Sequence, residues 1–281
     1  MKINFLQTTT AISTTLGVFM SGAAFAADID VTQLPAVSGP NGKIEIYGGW
    51  TGLNGFSSSS AFRGAASVSI PIGERLGLQA DIAAANAFGD TLYGGTLHAF
   101  TRDPNSYLFG LAGGLGSSNT TGFGYVGPEA ELYMGNVSLE AYAGFISLNN
   151  AGVTTGDFFA LGDAALYATP DLRLNLGVGT VAGFKSAHAG LEWQMESTPI
   201  SFKLDGRIGD NGFAAATAGL TFYFGGTEKS LIRRHREDDP RNRSLDIFNA
   251  GGSALTPPAS GGSLIFVDSC DVPEPPLKCL R

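Results

Sequence analysis

Cysteine is almost absent: the 281 residues hold two, Cys270 and Cys279. That excludes a disulfide-stapled scaffold and a cysteine-rich zinc domain. Charge is scarce as well, at 15% of residues, where ordinary domains carry about a quarter. Lysine and arginine number 17 against 25 aspartates and glutamates, a net charge of −8. A general nucleic-acid binder needs the opposite balance, so no nucleic-acid partner is expected. Past the N-terminal segment no apolar run reaches the ~18 residues of a membrane-spanning helix. No G-x-S-x-G, H-E-x-x-H or P-loop occurs, and nothing in the chain asks for a cofactor or a metal. Glycine, by contrast, is abundant at 40 residues. It has no three-residue period, so the chain is not collagen-like. A hydrophobic fraction of 43% excludes a disordered chain.

The N-terminus reads as an address. Lys2 supplies a positive charge, an apolar stretch runs from Ala11 through Leu16-Gly17-Val18-Phe19-Met20, and Ala24-Phe25-Ala26 is an A-x-A cleavage signal. This is the layout of a secretory signal peptide. Residues 1–26 are assigned to it, and 27–42, with Pro35, Pro40 and Gly42, to a linker.

From residue 43 to 226 the pattern has period two. In Val137–Phe145, Val137, Leu139, Ala141, Ala143 and Phe145 alternate with Ser138, Glu140, Tyr142 and Gly144. Ile200, Phe202, Leu204 and Ile208 do the same against Ser201, Lys203, Asp205 and Arg207, and Leu172, Leu174, Leu176 and Val178 against Arg173 and Asn175. Such alternation is a strand with one apolar and one polar face. About twelve segments of this kind follow one another, near 43–53, 64–72, 76–87, 91–102, 106–116, 122–134, 137–147, 158–168, 172–181, 184–195, 200–209 and 213–224. Tight connections such as Gly73-Glu74-Arg75, Gly135-Asn136 and Thr169-Pro170-Asp171 alternate with looser ones such as Asn54–Ala61 and Asn149–Asp157. The expected fold is therefore all-β: an antiparallel up-and-down transmembrane β-barrel of about twelve strands, with eight or ten as alternatives, followed by a short irregular C-terminal tail.

In a barrel of this kind the polar faces point inward. They carry Glu45, Asp81, Glu129, Glu131, Glu140, Asp163, Arg173, His188, Glu192, Lys203, Asp205 and Arg207, which are the candidate pore-lining residues. Acids outnumber bases among them, which favours cations if they line a water-filled path. Tyr47, Trp50, Tyr107, Phe109, Trp193, Phe222 and Phe224 lie near segment ends, as interfacial girdles would. Of His98, His188 and His235, only His188 shares a strand face with a serine and a carboxylate, Ser186 and Glu192. At ~3.3 Å per residue the outer two are ~20 Å apart, too far for a nucleophile relay. No catalytic residue is assigned.

With its signal peptide, alternating glycine-rich strands and final strand Gly219-Leu-Thr-Phe-Tyr-Phe224, the chain resembles Gram-negative outer-membrane β-barrel proteins of the porin-like class. That last segment is similar to the β-signal read by the barrel-assembly machinery. The chain continues beyond it, where such a signal commonly ends a protein. The resemblance implies an outer-membrane location, with lipid and the assembly machinery as partners. Known barrel hydrolases carry a His-x-Ser order, which Ser186 and His188 reverse.

The tail, 227–281, is charge-mixed: Arg233-Arg234-His235-Arg236 is followed by Asp238, Asp239, Arg241 and Arg243. Glu228–Glu237 is expected as a short helix capped by Thr227. The rest is Pro- and Gly-rich, with Cys270 and Cys279 close enough in sequence to pair in an oxidising compartment. It is read as a solvated periplasmic segment, with anionic lipid or a periplasmic partner as the alternative. The function expected is a narrow porin-like channel favouring small cationic solutes. Its alternative is a closed structural or surface-interaction barrel. A lipid-modifying barrel enzyme and a secreted soluble β domain rank below both. The sequence assigns no oligomeric state.

Overall fold

The computed structural model describes residues 34–55, 57–119, 121–150, 152–225 and 228–255. The signal peptide and the Cys270–Cys279 pairing lie outside these residues. The strands are β1 (Asn41–Gly52), β2 (Ser59–Ile72), β3 (Leu76–Ala87), β4 (Asp90–Asp103), β5 (Tyr107–Ser117), β6 (Thr121–Met134), β7 (Val137–Asn150), β8 (Val153–Thr169), β9 (Leu172–Val181), β10 (Phe184–Gln194), β11 (Ile200–Gly209) and β12 (Phe213–Phe224). Each pairs antiparallel with its sequence neighbour, and β1 closes on β12 from Gly42↔Phe224 to Gly52↔Ala214. The result is one closed twelve-stranded barrel, the expected fold, and the alternatives of eight or ten strands fall away. Closure leaves no unpaired edge, the condition for a sheet in hydrocarbon.

All twelve expected segments are strands. The main difference lies at β7–β8. The sequence reads Asn149–Asp157 as a loop, yet the ladder runs on to Asn150↔Val153. Backbone pairing is indifferent to the polar side chains there, so the hairpin projects past the barrel rim. At the opposite end the turns are tight, and Gly135, at φ +58°, takes the left-handed conformation between β6 and β7. Gly127 and Gly144 face each other across the same pair of strands, where a β-carbon on either would overlap the other strand's carbonyl.

The outward face is apolar and bare. Leu115 is 73% exposed and Phe145 76%, and Ile82, Leu97, Leu176, Val178 and Ile208 are similarly open. Among the described residues, charged side chains on outward strand positions occur only at strand ends, as Lys185 and Asp103. Trp50 and Trp193 also face out, at opposite ends of the barrel. Tyr47, grouped with the girdle aromatics by sequence, points inward instead and donates to Glu45. It sits at an odd position of β1 together with Lys43 and Glu45, so parity overrides nearness to a strand end.

Inside, the barrel is occupied. The tail, expected to lie outside as a solvated periplasmic segment, turns back at Gly225, and its described part occupies the lumen. Helix α1 (Leu231–Arg233) follows its N-cap Ser230, later than the expected start, and runs into a π-helical turn, Arg234–Asp238. Together they cross the tight-turn end, held by Pro170 O to the Ile232 N–H, at 3.0 Å, and by Gly135 and Val137 carbonyls to Arg236. Residues 34–40, expected as linker, cover the same end: Ala36 and Val37 are buried, and the Ala36 N–H donates to Glu74 O. Helix α2 (Arg243–Leu255) then rises into the loop-end half. Its Leu245, Ile247, Phe248 and Leu255 pack with Phe123, Tyr125, Tyr142, Ile146, Leu148 and Phe159 of the wall. Phe248 meets Phe123 edge-on at 5.9 Å. Burying each such side chain contributes about 1.5–3 kcal/mol.

Candidate functional site: the charged lumen

Every residue that the sequence assigns to the polar face projects into the barrel. Most of them border a residual cavity, yet few are free. They are bonded to the plug formed by residues 228–255, or to one another.

Three layers can be followed from the tight-turn end. In the first, Glu192 accepts from Ser201 and Tyr223, with Lys203 at 3.5 Å. His235 lies against Tyr167, 2.8 Å away at Nδ1, and against Tyr223, 3.1 Å away at Nε2. Burial holds the His235 imidazole well below its ordinary range, at about 3, although Glu192 pulls the other way. The neutral ring accepts from Tyr167 at Nδ1 and keeps its proton on Nε2, facing Tyr223 and Glu192. Arg234 and Arg236 stack on Tyr223 and on Tyr133, at 5.2 and 4.9 Å. Both are buried, so the basic run does not offer them to an anionic lipid or a soluble partner; Arg233, paired with Glu237, is the member that faces out.

In the second layer Lys43 binds Asp239 at 2.6 Å and donates to Pro240 O at 2.7 Å. Burial raises the Asp239 carboxyl, and Lys43 opposes that shift. Lys203 binds Glu45 at 2.6 Å, and Arg173 binds Glu140 at 2.7 Å.

The third layer is the densest. Arg241 reaches Glu140, Asp163 and Asp246 at 3.1, 2.9 and 2.6 Å. Arg243 reaches Glu129 at 2.8 Å, Asp246 at 3.0 Å and Glu131 at 3.7 Å, and lies over the Tyr142 ring at 5.3 Å. His98 is clamped between Asp81, at 2.7 Å, and Glu129, at 2.9 Å. The Arg243 backbone N–H donates to the same Asp81 carboxylate. Opposite charges repay burial only when they are paired and hydrogen-bonded this closely.

His188 does not engage Ser186. Its ring binds Asp163 at 2.7 Å and receives an N–H from Arg207, while Ser186 donates to Ala250 O. Among the described residues no three His, Cys, Asp or Glu side chains are set to hold a metal ion.

Parity along the strands would have found His98, Lys43, Arg63 and Arg102, all inward like the assigned residues. The plug residues Arg234, Arg236, Arg241, Arg243 and Asp246 leave no such signal. Nothing local says that a mixed-charge tail belongs inside a barrel.

No protein-family model and no curated protein matches the chain. Among solved structures it is similar to a KdgM porin in complex with disordered oligogalacturonate, at 6% identity and a TM-score of 0.48, covering 64% of this chain and 98% of the porin. It is similar to the Acinetobacter baumannii outer membrane protein Omp33, at 10% identity and 0.43, over 65% of this chain and 97% of that one. The outer membrane phospholipase A of Escherichia coli is similar at 12% identity and 0.45, over 70% and 93%.

Proposed function

We propose that the protein is an outer-membrane, porin-like barrel whose narrow lumen is shut by its own C-terminal segment. The observation that carries this reading is the inversion of polarity. The strands turn apolar side chains outward and ionisable ones inward, the arrangement a barrel needs in lipid and a soluble sandwich does not. The tight turns, the end at which residues 34–40 and α1 lie, face the periplasm, and the projecting β7–β8 hairpin faces outside. With the plug displaced, the wall presents mainly carboxylates, and the solutes favoured are small cations.

Two measurements test the reading. Trp50 and Trp193 are the protein's two tryptophans. Brominated lipids are expected to quench both strongly in the refolded protein, and aqueous acrylamide to quench neither well. The reverse pattern sinks membrane residence. In planar bilayers the whole chain is expected to give long closed intervals broken by rare, brief steps. A steady conductance from the whole chain overturns closure.

The second reading, a permanently closed structural barrel, is favoured by the plug itself, whose salt bridges and apolar helix fill both halves of the lumen. The two separate on what happens when the plug is removed.

A further inference from the structure

The plug does not fill the lumen completely. A cavity of about 110 Å³ remains between it and the wall formed by β1, β2, β6, β7 and β9–β12. Arg63, Arg207, Thr217, Asp205 and, from α2, Asn249 are among the residues that line it, beside many of the paired carboxylates and cations of the three layers.

The polar groups around this cavity are incompletely matched. Arg207 is 7% exposed and Thr217 5%, yet the Arg207 Nε and the Thr217 Oγ1 have no hydrogen-bond partner. Arg207 spends its two terminal nitrogens on His188 and Ser186. The nearest carboxylate, Asp205, stands 4.0 Å from its Nε, beyond a hydrogen bond. Arg63 makes no hydrogen bond or ion pair among the described residues. Elsewhere in the lumen each arginine meets a carboxylate, a carbonyl or an aromatic face. Here Arg63 has no such partner, and the Arg207 Nε has none within hydrogen-bond distance.

We propose that Arg63 and Arg207, with the Thr217 hydroxyl, bind a small oxyanion, the carboxylate or phosphate group of a solute. Arg63 and the Arg207 Nε lack acceptors of their own, and an oxyanion supplies acceptors to both. Guanidinium forks match the oxygens of both groups. A water needs only about 10–15 Å³ of such space, so the cavity has room for an oxyanion. Arg63 also lines a second void, of about 30 Å³, with Thr51, Asn86, Phe88 and α2. That void lies toward the loop end, so Arg63 stands between the loop mouth and the central cavity, on the route of a solute arriving from outside. The site belongs to the closed barrel and needs no current through it. Failure of the channel reading therefore leaves it standing, and its failure leaves closure standing.

The test is thermal unfolding of the whole refolded chain in detergent micelles, titrated with sodium phosphate or sodium acetate against sodium chloride at fixed ionic strength. Phosphate or acetate is expected to raise Tm saturably, by about 2–4 °C near saturation, with chloride giving no comparable rise. Which of the two saturates at lower concentration identifies the group preferred. R63Q and R207Q are each expected to weaken the apparent affinity about tenfold or more, with R63K retaining part of it. D205N removes the competing carboxylate and is expected to tighten binding about tenfold. No saturable shift in the wild type, or an equal shift from chloride, overturns the site. So does an R63Q protein that binds as well as the wild type. If the arginine variants fail to refold, D205N decides, and unchanged affinity in that variant overturns the proposal.

Discussion

A barrel ending at Gly225 is expected to conduct where the whole chain is shut. Removing residues 226–281 takes away Arg241 and Arg243, and with them the partners of Glu129, Glu131, Glu140 and Asp163. It also removes Leu245, Ile247, Phe248 and Leu255 from the loop-end half, where they are the apolar stopper. The wall keeps some pairing of its own. Arg173 stays on Glu140, Lys203 on Glu45, and His98 between Asp81 and Glu129. Glu131 has no such wall cation, and the reversal potential in a salt gradient is expected to shift toward cations. Docking worth only ~3 kcal/mol keeps the lumen closed more than ~99% of the time, so open probability should rise on the order of a hundredfold or more. Bilayer recordings of the shortened barrel give the answer. If the barrel inserts, judged by its heat-dependent gel mobility, and carries no current, the structural reading replaces the channel.

A single side chain should reproduce much of that effect. Arg243→Met is expected to release the plug. Arg243 is 2% exposed and is the common partner of Glu129, Glu131 and Asp246. Taking one member from a buried ionic cluster strands the others uncompensated, at a cost of about 3–5 kcal/mol. Because the wall barrel is closed by its own ladder, that cost falls on docking of the plug more than on the barrel. Open probability should rise by roughly two to three orders of magnitude, and the tail should become a substrate for added protease while the barrel stays resistant. R243K is expected to restore closure only in part, since an ammonium cannot span three carboxylates as a guanidinium fork does. Adding E129Q to R243M should recover some of the loss, because the pair is coupled. A tail as protected in R243M as in the wild type would show that the apolar face of α2 alone holds the plug.

The two predictions rest on different kinds of information. The barrel was legible because strand periodicity is local. Whether Glu140 faces in and Leu139 out depends only on their positions relative to each other, and each strand pairs with its neighbour in sequence. Turn residues carry their own instruction, as Gly135 does at positive φ. The same parity also places His98, the residue that sequence reasoning passed over in favour of His188. What parity cannot supply is the partner. Ser186 and His188 share a face, yet each bonds across strands or to the plug, to Ala250, Asp163 and Arg207.

The amino-acid sequence by itself determined an up-and-down barrel of about twelve strands, its apolar outside and most of the ionisable side chains that its wall turns inward. Only the tertiary structure decided that the described part of the tail lies inside the lumen. A segment with balanced charges, such as Arg234–Asp246, reads the same whether it is solvated or buried, because its composition is compatible with both. The choice is made by carboxylates on strands roughly a hundred residues away, Glu129, Glu131, Glu140 and Asp163, and by the space their barrel encloses. That pairing exists only once β1 has met β12.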